Sequence, residues 1–155
     1  MYRLDLTNLK TSEVKYEVSR FPDGQQQVKI LGRASWPAVD KGEEEVEKVI
    51  PINDDEVHIK ARLNNFLHLE VLCCAVASLR ELGVKRIDLM VPYFLGSRSD
   101  RKFEEGSNNY LKTVICPIVN SLKLNSITVL DPHSDVLEAC LNNFKKVNKS
   151  IELLD

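Results

Sequence analysis

Two short polar segments of this chain contain residue types that bind phosphorylated ligands. The first, residues 96–102, has the sequence GSRSDRK and contains Arg98, Arg101 and Lys102. A guanidinium group presents a planar fork of donors and an ammonium group presents a point charge, and both suit phosphate oxygens. Polyphosphate transfer depends mainly on positioning and charge neutralisation, so this loop suits that chemistry. A solvated surface turn is the alternative interpretation of the same residues.

The second segment, residues 131–133, has the sequence DPH. The Asp131 carboxylate and the His133 imidazole can hold a magnesium–nucleotide complex, directly or through water. A loop histidine bonded to the backbone is the alternative interpretation of this segment. Adjacency of the two segments in the fold would strengthen both functional interpretations.

Each polar segment directly follows a short apolar run suited to a buried parallel strand. These runs are residues 87–91, IDLMV, and residues 127–130, ITVL. Helical patterns are predicted for three segments: residues 63–82, 108–122 and 134–143. Gly83 should end the first helix, and Pro117 should kink or start the second.

Alternation of strands and helices predicts an α/β fold, with a parallel sheet that has helices on both faces. Such sheets bind ligands beyond the carboxyl ends of their strands. The two polar segments are therefore predicted to project from neighbouring strand ends into one crevice.

The N-terminal part of the chain predicts a projecting β-hairpin. Residues 14–21 and 25–31 are predicted strands, and they flank Pro22-Asp23-Gly24, which is a strong turn signal. Three further segments are candidate strands: residues 2–6, 46–52 and 56–59. Residues 32–42 are predicted to form a loop, and Glu43–Glu45 a solvated charge run.

The bulk composition fits one soluble domain spanning residues 1–155. Hydrophobic residues make up 43% of the chain and charged residues 28%, with a formal net charge of −2. Nothing in this balance indicates a nucleic-acid or membrane partner. The chain has no apolar run of the ~20 residues that a membrane span needs, and its start lacks the apolar core of a signal peptide. A cytoplasmic location is therefore expected.

The four cysteines are interpreted as small buried side chains. Cys73, Cys74, Cys116 and Cys140 lie inside apolar segments and show no CxxC spacing. No zinc site is indicated, because cysteine and histidine never cluster at ligand spacing.

Three motifs, in matching order and at similar separations, resemble the ribose-phosphate pyrophosphokinase family, also called phosphoribosyl pyrophosphate synthetases. Residues 91–102 resemble that family's PYxxYxRQDRK stretch, residues 20–25 its RFxDGE segment, and residues 130–133 its DLH motif. The similarity covers roughly residues 18–145, which corresponds to the N-terminal domain of the family. It implies a fold like that of type I phosphoribosyltransferases.

The resemblance also implies roles for individual residues. Phe21, Asp23 and Gln25 match hairpin residues that hold the adenine of ATP and reach in from a neighbouring subunit, which implies a homo-oligomer. An aromatic face such as that of Phe21 can stack on a base. A hairpin core position for Phe21 and a turn-forming role for Asp23 are the alternatives.

The resemblance assigns phosphate and metal binding to the basic loop and to residues 131–133. Arg98, Ser99 and Arg101 match the family's ATP-contacting loop, and the charge of Lys102 also suits the nucleotide. His133 resembles the histidine that helps to bind the catalytic Mg²⁺, and Asp131 is a second candidate ligand.

The implied reaction transfers pyrophosphate from Mg-ATP to ribose 5-phosphate, for nucleotide and NAD biosynthesis. Several departures from the family pattern bear on it. Gln25 stands where the family has glutamate, Ser99 where it has glutamine, and Pro132 where it has leucine. There is also little room for the family's first helix between Leu6 and Val14.

The family's ribose-phosphate loop and its mobile catalytic loop have no counterpart in this chain. Ribose 5-phosphate would therefore bind through a missing C-terminal half, and no residue here is a convincing general base. We expect the isolated chain to be inactive. A non-catalytic regulatory subunit, or the same chemistry on another 5-substituted ribose, are the alternative functions.

Overall fold

The computed structural model describes residues 1–34, 49–52, 56–95, 104–130 and 135–146. These residues form eight strands: β1 (Tyr2–Asp5), β2 (Val14–Arg20), β3 (Gln26–Ala34), β4 (Val49–Ile50), β5 (Glu56–Lys60), β6 (Arg86–Val91), β7 (Ser126–Val129) and β8 (Phe144–Lys146). They also form three α-helices: α1 (Phe66–Glu81), α2 (Cys116–Ser121) and α3 (Asp135–Cys140). A 3-10 turn, Leu9–Thr11, and a π-helical segment, Tyr110–Ile115, complete the elements.

The strands form two sheets. A five-stranded sheet has the order β1-β5-β6-β7-β8, and every neighbouring pair in it is parallel. A three-stranded sheet, β2-β3-β4, is antiparallel and contains the predicted hairpin. The α/β fold class, the parallel sheet and the hairpin are thus confirmed.

One face of the parallel sheet is apolar and carries the core. Strand residues alternate between faces, and the register places paired residues on the same face. This face presents side chains that are at most 1% exposed: Leu4, Val57, Ile59, Ile87, Leu89, Val91, Ile127 and Val129. Burial of so many branched aliphatic side chains is the main stabilising contribution to the domain.

The three helices lie over this apolar face. Strands β5, β6, β7 and β8 follow one another in sheet order, so their right-handed crossovers place all three helices on the same side. Helix α1 buries one stripe of side chains in the same core: Leu69, Leu72, Ala75, Val76 and Leu79. We expected helices on both faces of the sheet. That expectation was wrong for the described crossovers. Each successive strand from β5 to β8 lies on the same side of the one before it, so each right-handed crossover places its helix on the same face.

The opposite face of the sheet is polar. By the same register it carries mostly hydrophilic side chains: Arg3, Asp5, His58, Lys60, Arg86, Asp88, Met90, Ser126, Thr128 and Lys145. Strands that are covered on both faces are usually continuous apolar runs, whereas these strands alternate. The alternation agrees with a sheet that has helices on one side.

Asp88 organises the centre of the polar face. Its side chain is buried and accepts hydrogen bonds from Ser126 Oγ and, at 3.2 Å, from Arg86 Nε. His58 Nε2 also lies 3.2 Å from the same Asp88 Oδ2 atom. Burial acts to raise the pKa of Asp88. The hydrogen bonds from Ser126 and Arg86, and the charges of Arg86 and His58, outweigh burial and hold this pKa below its ordinary value.

The residues between β1 and β2 form a compact turn with a three-residue 3-10 segment instead of an α-helix, as the short spacing predicts. Buried Asp5 accepts hydrogen bonds from the backbone N–H groups of Thr7, at 2.9 Å, and Asn8, at 3.2 Å, and from the Thr11 hydroxyl. The Tyr16 hydroxyl donates to the Asp5 carbonyl at 2.8 Å and so joins this turn to the hairpin. Burial acts to raise the pKa of Asp5, but the hydrogen bonds from Thr11 and Thr7 leave it below its ordinary value.

The predicted helices are confirmed, with shifted ends. Helix α1 begins later than predicted because Asn65 caps it, accepting a hydrogen bond from the His68 N–H at 3.0 Å. Gly83, at φ +92°, follows its end as expected. Pro117 lies in the first turn of α2, where the preceding π-helical segment gives way to an α-helix.

Two predictions need correction, and one strand was not predicted. The predicted helix 134–143 is α3, which ends at Cys140, and strand β8 follows it where no strand was predicted. Strand β3 continues to Ala34, into the predicted loop 32–42, because its last residues pair with β4. The rest of that loop and the charge run Glu43–Glu45 lie outside the described residues.

Within the described ranges, no helix is long and apolar enough to cross a membrane.

Replacement of Asp88 by asparagine should destabilise the fold by about 1–3 kcal/mol, because buried hydrogen bonds to a charged group are lost. The folded-state pKa of Asp88 is lowered. Its stabilising contribution is therefore present above the unfolded pKa of about 3.9 and is lost as pH falls through the folded pKa. Urea unfolding of both proteins from pH 7 down to pH 2 should show a shallower acid loss for Asp88→Asn.

The matched control is Glu138→Gln, which changes an exposed carboxylate on α3. It should leave the stability and its pH dependence unchanged. Equal acid slopes for wild type and Asp88→Asn would contradict the structural role of Asp88.

Candidate functional site

The carboxyl ends of β6 and β7 lie side by side. Val91 pairs with Val129 in parallel register, and the Leu130 N–H donates to the Val91 carbonyl at 3.1 Å. The Ala61 N–H, just after β5, likewise donates to the Met90 carbonyl at 3.1 Å. The ends of three neighbouring strands therefore form one continuous edge, where parallel sheets bind ligands.

Both predicted ligand-binding segments leave from this edge. The basic loop with Arg98, Ser99, Arg101 and Lys102 follows β6, and the segment with Asp131 and His133 follows β7. All six side chains lie outside the described residues, so their roles and mutual distances stay predictions.

The basic loop is held at both of its described ends. Phe94, within the matched motif, is 1% exposed and belongs to the core, so it fixes the chain just before the loop. After the loop, Ser107 N–H donates to the Glu104 carbonyl at 3.1 Å, and the Glu104 N–H donates to Ser107 Oγ at 3.1 Å. Asn109 then caps the next helical segment through the Lys112 N–H, at 3.1 Å. The ends of the loop are thus fixed by packing and by a tight turn.

The hairpin tip has the turn geometry that its sequence predicts. The Gly24 N–H donates to the Phe21 carbonyl at 2.9 Å, and the Phe21 N–H donates to the Gln25 carbonyl at 2.8 Å. Gly24 has φ +91°, which favours glycine. Asp23 Oδ1 accepts from the Gln25 N–H at 3.0 Å, so Asp23 does form the turn. Its contact with adenine is a separate prediction.

The tip presents an open recess. Phe21 is 43% exposed, which argues against the alternative that it is a core residue of the hairpin. Together with Pro22, Asp23, Gln25 and Gln27, it lines a shallow surface cavity of about 660 Å³. An exposed aromatic ring beside amide and carboxylate groups is suited to stacking on a base and bonding its edge.

The body of the hairpin is bound to helix α1 by polar side chains. Glu70 Oε1 accepts from both the backbone N–H and the side-chain amide of Gln26, at 2.9 and 3.0 Å. Two turns further along the helix, Ser78 Oγ donates to the Val28 carbonyl at 2.8 Å. Residues four apart lie on one side of a helix, and this side is the one that meets β3. Sequence analysis missed these contacts, although Glu70 and Ser78, two turns apart on an otherwise largely apolar helix, were a usable signal.

A second, smaller cleft lies between the hairpin and the ends of β1 and β5. Its volume is about 240 Å³, below the usual range for a drug-sized ligand. Its lining mixes apolar and polar side chains: Leu6, Thr7, Tyr16, Val18, Ala61, Arg62, His68 and Val71. Across the part of the chain that the structure describes, no group of three or more His, Cys, Asp or Glu side chains could hold a metal ion.

Replacement of Glu70 by alanine should loosen the hairpin. We expect a loss of about 1–2 kcal/mol, because two half-buried donors of Gln26 lose a charged acceptor. Urea denaturation measures the loss, and hydrogen exchange of the β3 amides should accelerate.

Glu70→Gln keeps an oxygen acceptor and should recover most of this stability. Glu81→Ala removes an exposed carboxylate from the last turn of the same helix and serves as the control. If Glu70→Ala behaves like Glu81→Ala, the polar contacts do not hold the hairpin.

Comparison with known proteins gives one consistent group of relatives. The chain is 28% identical over 122 residues to a ribose-phosphate pyrophosphokinase of Saccharolobus solfataricus, which covers 77% of this chain and 35% of that protein. It is 25% identical over 130 residues to a ribose-phosphate pyrophosphokinase of Thermococcus kodakarensis, which covers 84% of this chain and 39% of that protein. The chain thus spans 35–39% of the length of these relatives.

The fold agrees with a solved structure as well. The crystal structure of phosphoribosylpyrophosphate synthetase from Mycobacterium smegmatis matches with a TM-score of 0.66 at 10% sequence identity. The match covers 99% of this chain and 50% of that one. No protein-family model matches the chain. The relatives confirm the resemblance that the three motifs indicated, and the solved structure confirms the fold.

Proposed function

We propose that this chain, which resembles the N-terminal part of ribose-phosphate pyrophosphokinases, is the Mg-ATP-binding domain of such an enzyme. The observation that carries the proposal is the parallel pairing of β6 with β7, up to Val91 and Val129. It aligns the two strand ends that the matched segments follow in the sequence. A basic loop and an acidic, imidazole-bearing loop at one edge suit a nucleotide with its metal ion.

In the proposed reaction, the 1-hydroxyl of ribose 5-phosphate attacks the β-phosphorus of ATP, and AMP leaves. Arg98, Arg101 and Lys102 would bind the phosphate oxygens and offset their charge, with Arg98 and Arg101 as bidentate donors. Asp131 and His133 would hold Mg²⁺, which supplies further neutralisation of the phosphates, since a carboxylate suits this hard cation and an imidazole can act through water. Ribose 5-phosphate would bind outside this chain.

The hairpin tip would bind the adenine of ATP in an oligomer. Phe21 is exposed, and the recess beside it is open, so the tip can complete a pocket on another subunit. The Gln25 amide can both donate and accept hydrogen bonds at the edge of the base, whereas the carboxylate of the family's glutamate can only accept them. Ser99 is shorter than the glutamine it replaces and reaches less far. These two changes would alter how selectively the site binds adenine.

A non-catalytic subunit that assembles with a synthetase is the second candidate. The specific observation in its favour is the pair of replacements at Gln25 and Ser99: the first removes a carboxylate charge and the second shortens a polar side chain. The same chemistry on another 5-substituted ribose is a third reading, which depends on residues beyond this domain.

Replacement of Arg98 by alanine should weaken Mg-ATP binding roughly tenfold or more, since a charge-assisted bond to phosphate is worth about 1.5–3 kcal/mol. Isothermal titration calorimetry of Mg-ATP into both proteins measures the change. Lys85→Ala is the matched control, because Lys85 is an exposed cation at the opposite, amino end of β6. Equal affinities for wild type and Arg98→Ala would remove Arg98 from the site.

Residues 1–155 alone should bind Mg-ATP without releasing AMP from ATP and ribose 5-phosphate. The physical reason is that this chain has no counterpart of the family's ribose-phosphate loop. A coupled AMP-release assay makes the measurement, and normal turnover would refute the expectation. Adding the chain to a complete ribose-phosphate pyrophosphokinase separates the two candidates, since only the regulatory one predicts changed turnover of that enzyme.

A further inference from the structure

The end of helix α3 is bound to helix α2 through one side chain. Asn120 Nδ2 donates to the Cys140 carbonyl at 2.8 Å, and Asn120 Oδ1 accepts from the Asn142 N–H at 2.9 Å. The amide of Asn120 therefore fixes the backbone on both sides of the turn that ends α3. This fixed backbone carries the Cys140 side chain.

Cys116 lies one helical turn before Asn120 on α2. Residues four apart share one face of a helix, so Cys116 and Asn120 both face the end of α3. Cys116 is buried, at 1% exposure, whereas Cys140 is partly exposed. Burial, together with the neighbouring charge of Cys140 and a hydrogen bond to its thiol, raises the pKa of Cys116 to about 12. Asn120, one turn from Cys116, bonds the Cys140 carbonyl, so both cysteines lie at the same junction of α2 and α3, although 24 positions separate them in the sequence (140 minus 116).

We propose that Cys116 and Cys140 form an oxidisable thiol pair, which a peroxide converts into an intramolecular disulfide between α2 and α3. Cys140 is the site of first attack, because this residue is partly exposed and Cys116 is buried. Neither the ATP site nor the polar face of the sheet is involved, so this proposal stands apart from the proposed function.

The chemistry balances in two steps. The Cys140 thiolate attacks one oxygen of hydrogen peroxide, the S–O bond forms, the O–O bond breaks, and hydroxide leaves with a proton as water. The Cys116 sulfur, after losing its proton, then attacks the Cys140 sulfur, and the S–O bond breaks to release a second water. Overall, two thiols are oxidised to one disulfide and one peroxide is reduced to two waters.

The remaining two cysteines provide internal controls. Cys73 and Cys74 are successive residues of α1, so their side chains point about 100° apart around the helix. The Cys74 thiol instead donates to the Gln26 carbonyl at 3.5 Å.

The test treats the reduced, full 155-residue chain with hydrogen peroxide at neutral pH, and the remaining thiols are blocked only in the portion used for peptide mapping. Thiol titration should fall from four reactive groups in the unfolded, reduced protein to two, since all four cysteines start free. Intact mass should fall by about 2 Da, for two hydrogens lost, and dithiothreitol should reverse the change. Peptide mapping without reduction should identify one crosslink, between Cys116 and Cys140.

Variants make the test specific. Cys140→Ser, at a partly exposed position, and Cys116→Ala, at a buried one, should each abolish the crosslink, and Cys73→Ser should leave it intact. Three results would overturn the proposal. They are a sulfinic acid on Cys140 with Cys116 still reduced, a disulfide that involves Cys73 or Cys74, and crosslinks that form only between chains.

Discussion

The parallel pairing of β6 with β7 is the constraint on which the rest of this structure depends. Backbone hydrogen bonds between parallel strands align their carboxyl ends, and here they align the ends at Val91 and Val129. Every candidate for nucleotide chemistry outside the hairpin lies just beyond these two residues in sequence. The strand ends that precede the two matched segments are thus brought together, although the segments are far apart along the backbone. Core packing of the apolar face holds this alignment, because both strand ends are fully buried.

The division of the sheet into an apolar and a polar face shapes the remaining architecture. All three described crossover helices lie over the apolar face. The charged side chains of the polar face must therefore find their partners within the sheet. It does so around Asp88, where one buried carboxylate bonds side chains from β6 and β7 and lies beside one from β5. A buried carboxylate without such partners would be strongly destabilising. The polar face is therefore ordered by specific hydrogen bonds and not by hydrophobic contact.

Helix α1 contacts both sheets, because one side of it is apolar and another side carries polar side chains. Its apolar stripe packs on the parallel sheet, while Glu70 and Ser78 bond the backbone or side chains of β3. The hairpin body is fixed in this way, and its tip with Phe21 is left exposed. Similarity to the Mycobacterium smegmatis structure persists at 10% identity, which shows how much substitution this arrangement of strands and helices tolerates.

The amino-acid sequence by itself determined the strands, the helices and the hairpin turn, because their signals are local. Alternation of apolar residues, the Pro22–Gly24 turn and the helix-ending Gly83 act within a few positions along the chain. It also determined the family resemblance, since the three motifs are contiguous segments. Only the tertiary structure decided the polar face around Asp88, strand β8, the bonds from Glu70 to Gln26, and the contact between Cys116 and Cys140. These features depend on contacts between residues that are distant in sequence, or on a segment without a periodic pattern of its own. A local sequence pattern therefore cannot predict them.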